Sequence, residues 1–259
     1  MLDKRGFSIL LFERTHELAK GLLRTRASSR FVSLQLFVLH MALGKEVTSM
    51  NAYDFDGTIF PSNCTIGFAL WCMNRRPKLW FTYAPRAFKC VVQYKLGKMP
   101  SYRMLRELYS YLKDIDDFDV QIERYWDRNE NKISSWYLKQ KRPDDLIISA
   151  SPICIVEPIA RRLGVNFVAT DYDRELGVFM NNLMYARSKS RYIIDHGFPV
   201  IDHFYSDSLS DTPLALCSEH AHLVTNRASR ITDWPDLDEP TIKKVKKKID
   251  TGWTIHLDE

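Results

Sequence analysis

The chain has 259 residues, an ordinary apolar fraction of 45%, and five cysteines, at 64, 72, 90, 154 and 217. That length holds one large domain or a core with an inserted lobe. Without a Cys-x-x-Cys pair or zinc-spaced histidines, the cysteines read as reduced packing thiols of a cytoplasmic protein, which argues against a disulfide scaffold or a zinc finger.

The net charge of +5 is uneven. Residues 1–49 carry eight Lys/Arg against four Asp/Glu, residues 60–145 carry sixteen against ten, and from Arg75 to Lys113 the only acid is Glu107. Such a patch suits an anionic partner, or it is a solvated helical face. Residues 1–49 are expected to form an N-terminal extension, and Met50, just before the first core strand, is an alternative start. The apolar stretch "FVSLQLFVLHMAL" at 31–43 contains Gln35 and His40. It is shorter than the ~18 residues of a membrane span, and no small-x-small cleavage site follows it.

"NAYDFDGTIF" at 51–60 reads as a strand running into a turn. Side chains alternate across a strand, so Asp54 and Asp56 share a face and Phe55 points away. Two carboxylates so close are tolerable if a cation lies between them or one holds a proton; an ordinary Asp-Gly surface turn is the other reading. Residues 61–144 turn helical and aromatic. In "SYRMLRELYSYLKDI", Tyr102, Leu105, Leu108, Tyr109 and Leu112 recur at helical spacing, as a core stripe does. Pro77, Pro85 and Pro100 divide the region into successive helices.

From Asp145 short strands and helices alternate. "LIISAS" is apolar throughout, as a strand covered on both faces would be. "CIVEPIARRLG" reads as a helix stopped by Gly164. "VNFVAT", "HFYSDS" and "AHLVTN" are further strands, and "TDYDRELG" is a hairpin turn. His220 and His222 precede "LVTN" and lack partners for a metal site. "KKVKKK" at 243–248 is a solvated helix face in a C-terminal tail, 236–259, and Trp234 and Trp253 are expected to anchor the residues beyond Asp233. The pattern implies an α/β protein with a Rossmann-like parallel sheet at 50–60 and 145–235, and an inserted α-helical cap at 61–144. In such sheets the active site lies at the carboxyl ends of the strands, where the acids at 54, 56, 207 and 211 and the serines at 149 and 151 fall.

Four stretches, "DFDGT", "IISAS", Lys189 in "RSKSRYIID" and "YSDSLSD", stand in an order that resembles the haloacid dehalogenase superfamily. More narrowly they look like its phosphoserine phosphatase-like branch, whose helical cap follows the first motif. The resemblance spans residues 50 to about 228 and implies a phosphomonoester hydrolase. Asp54 would be the nucleophile, forming an aspartyl-phosphate, and Asp56 the general acid and base. Thr58, Ser149 and Lys189 would hold the phosphate, and Mg²⁺ would be bound by Asp54, the Asp56 carbonyl and Asp207. Asp211 would support the metal site or hold Lys189; Ser151 is either a second hydroxyl of the site or a helix cap. The segment around Lys189 departs from the family pattern, with Arg187 nearby and no acid before the lysine.

The expected partner is a small phosphorylated substrate. Asn63 stands where phosphoserine phosphatases carry the glutamate that binds the substrate amine, which disfavours phosphoserine. The basic, aromatic cap suggests a lipid phosphate met at a membrane surface through peripheral contact, and a sugar or polyol phosphate fits as well. A non-catalytic phosphate-binding module is the reading from another class. No nucleic-acid motif is present.

Overall fold

The structure is a computed structural model that describes residues 49–180 and 183–249. Its strands are β1 (Ser49–Tyr53), β2 (Leu146–Pro152), β3 (Asn166–Thr170), β4 (Tyr172–Asp173), β5 (Val178–Phe179), β6 (Val200–Ser206), β7 (Ser218–Thr225) and β8 (Arg230–Asp233). Six of them form a sheet in the order β3-β2-β1-β6-β7-β8, and β4 and β5 form a separate hairpin. The pairings from β3 to β7 are parallel, and β8 closes the edge antiparallel to β7. That last strand is absent from the sequence reading because all four residues of "RITD" are exposed and carry no apolar alternation.

Both faces of the central strands are covered. Met50, Ala52, Leu146, Ile148 and Phe204 pack in one apolar cluster, while Tyr53 and Ile147 face another that continues into the helical region. This two-sided burial is why the central strands lack a polar face. Between β1 and β2 lie α1 (Cys64–Arg75), α2 (Pro77–Thr82), α3 (Ala84–Lys95), α4 (Ser101–Tyr109), α5 (Phe118–Asn129) and α6 (Ser135–Gln140). Pro77 and Pro85 sit in the first turns of α2 and α3, where a missing N–H costs nothing, and Pro100 precedes α4. The stripe expected from Tyr102 to Leu112 is not one helix: α4 ends at Tyr109 and tightens into a 3₁₀ turn over Ser110–Asp114.

The helical region is anchored to the first motif by Trp126 of α5. This fully buried ring meets Phe55 and Phe60 edge-on. Its Nε1 donates 2.9 Å to the carbonyl of Ile155, in α7 (Ile153–Leu163). Truncating such a ring to Ala costs ~3–5 kcal/mol. Arg162 of α7 also pairs with Glu123, Asp127 and Glu130. Three acids of the helical region are thereby tied to α7, while every charged side chain of α2 and α3 is basic.

The remaining helices are α8 (Arg187–Asp195), the short α9 (Thr212–Ala215) and α10 (Glu239–Ile249). Gly164 stops α7 in the left-handed conformation, φ 65°. Trp234 packs near Phe204, and α10 carries the lysine run. The expectations for residues 1–48 and for Trp253 lie outside the described residues. All five cysteines are free thiols, and four are buried. Among the described residues no helix is long and apolar enough to cross a membrane.

Candidate active site

β1 ends at Tyr53, one residue before the first aspartate. The Asp54 N–H donates 2.8 Å to the Tyr205 carbonyl, and the chain then closes on itself as the Thr58, Ile59 and Phe60 N–H groups all turn to the carbonyl of Phe55. Gly57, at φ 79°, makes this turn. A Cβ there would also collide with the carboxylate of Asp207, so both the backbone angle and the close approach require glycine. Phe55 is fully buried against Phe60, while Asp54 and Asp56 both line a cavity of about 300 Å³ at the carboxyl ends of the strands.

Lys189, in the first turn of α8, is 2% exposed. Its Nζ lies 2.6 Å from Asp54 Oδ1 and 2.8 Å from Asp211 Oδ2. Ser206 also donates to Asp211, at 2.8 Å. Burial disfavours the ammonium, yet Asp211 and Asp54 outweigh it and hold the Lys189 pKa above the usual lysine range. Burial pushes Asp54 up to about 7; Lys189 pulls it down, and the Asp211 and Asp207 carboxylates oppose that pull. Arg187, the other cation of that segment, is exposed and not among the residues lining the cavity.

Asp56 is held from two sides. One oxygen accepts the Cys64 N–H at the start of α1, at 2.7 Å, and the other accepts the Ser151 hydroxyl at 2.5 Å. Burial raises its pKa, and the Ser151 bond moderates the rise. A carboxyl that is fixed and reluctant to ionise is suited to donate a proton. This settles between the two readings of Ser151: it lies in β2, Pro152 is the N-cap of α7, and no side chain caps that helix. Its hydroxyl instead orients Asp56 and accepts a bond from Thr65. Ser149 lines the cavity, and its Oγ accepts the Ser151 N–H at 3.1 Å, leaving its own proton to donate.

Thr58 departs from its expected place as a phosphate ligand. It is fully buried and outside the cavity lining. Its hydroxyl donates to Asp54 Oδ2 at 3.3 Å and accepts the Asp207 N–H at 2.9 Å, so it ties the two aspartates together. Four carboxylates thus share the cavity's described lining with one ammonium, which bonds two of them. That imbalance, together with an all-oxygen donor set from Asp54, the Asp56 carbonyl and Asp207, fits a hard divalent cation.

The rest of the cavity is uncharged: Asn63, Leu105, Tyr109, Ala150, Leu183, Tyr185, Ser208 and Ser210. Leu105 and Tyr109 lie four apart on α4 and look like ordinary core positions in the sequence; only the tertiary placement of α4 distinguishes them. Asn63 is the N-cap of α1, its Oδ1 accepting the Ile66 N–H at 2.9 Å. The histidines of "EHAH" require a correction. β7 begins at Ser218, so both lie within the strand, and His222 Nε2 meets His203 Nδ1 at 2.9 Å. Asp202, His203 and His220 bring one ligand atom each within 4.8 Å of one another, away from the cavity lining.

Comparison with known proteins agrees with this geometry at the level of fold and family. No curated protein matches the chain. A solved protein of unknown function from Bordetella pertussis Tohama I is similar at 16% identity and a TM-score of 0.59, covering 78% of this chain and 96% of that one. Weaker likenesses include a phospho-aspartyl intermediate analogue of phosphoserine phosphatase, at 15% identity, TM-score 0.44 and coverage of 79% and 92%. Another is cytosolic 5'-nucleotidase IIIB bound to cytidine, at 14% identity, TM-score 0.42 and coverage of 90% and 86%. The family model for haloacid dehalogenase-like hydrolases matches residues 52–216, which span every aspartate, serine and lysine of the site just described, and the chain belongs to that family.

Proposed function

We propose that the chain is a Mg²⁺-dependent phosphomonoester hydrolase. One arrangement supports this reading above the others: Asp54 is fixed by Lys189 at 2.6 Å while Asp56, held by Ser151, faces the same cavity. Asp54 attacks phosphorus, the bond from phosphorus to the ester oxygen breaks, and Asp56 passes its proton to the departing alkoxide. Asp56 then takes a proton from water, whose oxygen attacks the aspartyl-phosphate; phosphate leaves and Asp54 is regenerated. Lys189 balances charge on the nucleophile, and Ser149 donates to a phosphoryl oxygen. Mg²⁺, held by Asp54, Asp207 and the Asp56 carbonyl, would neutralise charge on the phosphoryl group.

The lining beyond the phosphate site favours a leaving group without charge. Lys189 is the only cation among the described lining residues, and no carboxylate lies outside the four of the catalytic cluster. A substrate ammonium or a second phosphate would enter without a partner, which costs affinity. The kcat/KM for phosphate release should therefore be higher for phenyl, alkyl or polyol phosphates than for phosphoserine. A clear preference for phosphoserine or for a bisphosphate would refute this reading. A phosphorylated lipid meets the same requirement.

A further inference from the structure

We propose that the outward face of α2 and α3 is a docking surface for an anionic lipid bilayer. The two helices are separated only by Tyr83, and Phe81, Pro85, Phe88, Val92 and Leu96 follow at spacings of three and four, all exposed. Phe81 is 82% exposed, Phe88 72% and Leu96 62%. The fold does not need this stripe, because α3 turns a different face inward, where Cys90 is buried and Val91 and Tyr94 pack on the core. α3 is therefore apolar on two sides, one of which faces water.

Charge identifies what the second side meets. From Arg75 to Lys98 there are seven Lys/Arg and no acid. Arg86 pairs with Glu107. Lys78, Lys89, Lys95 and Lys98 are exposed, and none makes an ion pair among the described residues. Protein interfaces are depleted in lysine and use arginine instead. Lysines flanking inserted aromatics are what a headgroup layer accepts, since the long stems lie along the apolar boundary and the ammonium groups reach lipid phosphates. α3 packs on α4, which supplies Leu105 and Tyr109 to the cavity, so the docking face lies one helix from the substrate.

This surface is independent of the hydrolase reading, and catalysis is not its test. Co-sedimentation of the full chain with phosphatidylcholine vesicles, with and without phosphatidylglycerol, would be measured at low and physiological ionic strength. The variants are Phe81→Ser/Phe88→Ser, the four lysines changed to Gln, and Asp54→Asn, each with its melting temperature recorded. Wild type and Asp54→Asn should bind anionic vesicles and release with salt. Each surface variant should lose about tenfold or more in partitioning with melting unchanged. The proposal is overturned if wild type ignores anionic vesicles, if the surface variants bind as well as wild type, or if the Phe variant instead splits an oligomer while vesicle binding is absent.

Discussion

Replacing Lys189 with methionine tests the electrostatic core of the site. The ammonium is 2% exposed and bonds both Asp54 and Asp211. Methionine fills similar volume but leaves two buried carboxylates facing each other, one of them already pushed up by burial and by its acidic neighbours. Breaking a buried ion pair from one side costs ~3–5 kcal/mol. For a protein of this size that is a fall of roughly 6–20 °C in melting temperature. The loss should be largest in EDTA and partly recovered by Mg²⁺. Lys189→Met/Asp211→Asn should regain about half of the lost stability, because one orphaned charge is gone, and should regain no activity. Thermal melts with and without metal, alongside phosphate release, read both effects. A single variant melting within ~2 °C of wild type in EDTA would mean that Lys189 does not hold the buried carboxylates, since ~3 kcal/mol cannot hide in so small a shift.

Ser151→Ala removes the hydroxyl that holds Asp56 and should lower kcat by about ten- to a hundredfold, the worth of a hydrogen bond to a charged group, with KM little changed; steady-state kinetics check it. Asn63→Asp keeps an equally good N-cap on α1 and places an acid in the cavity, so kcat/KM for phosphoserine should rise relative to phenyl phosphate by about tenfold with the melting temperature held. His222 is kept below its ordinary pKa by burial and by His203. The unfolded chain therefore takes up that proton first, and stability should be full above pH ~6.5 and fall as pH drops through that value. His222→Phe should flatten this dependence in urea titrations across pH 5 to 7, a window chosen from the ordinary His value of about 6.5.

The sequence made the strand ends legible because chemistry there is local. Asp54 and Asp56 two apart, the apolar "LIISAS" and the serine-aspartate run ending at Asp211 each announce themselves within a few residues. Whether the buried Thr58 hydroxyl faces a ligand or a neighbouring aspartate depends on Asp207, just past β6 and 149 residues further along the chain. Ser151 is ambiguous in the sequence for the same reason, its partner Asp56 lying 95 residues earlier. The contact of His203 with His222 has no local signal in the sequence, because the two meet only through the parallel register of β6 on β7. Leu105 and Tyr109 carry no local mark at all, since a cavity wall and a core stripe have the same helical spacing.

The most direct test of the hydrolase account is phosphate release from an aryl phosphate by wild type and Asp54→Asn, each with Mg²⁺ and with EDTA. Wild type should turn over only when Mg²⁺ is present, and a folded Asp54→Asn should be inactive under both conditions. Asp54→Asn turning over at the wild-type rate, or wild type turning over equally well in EDTA, would contradict it.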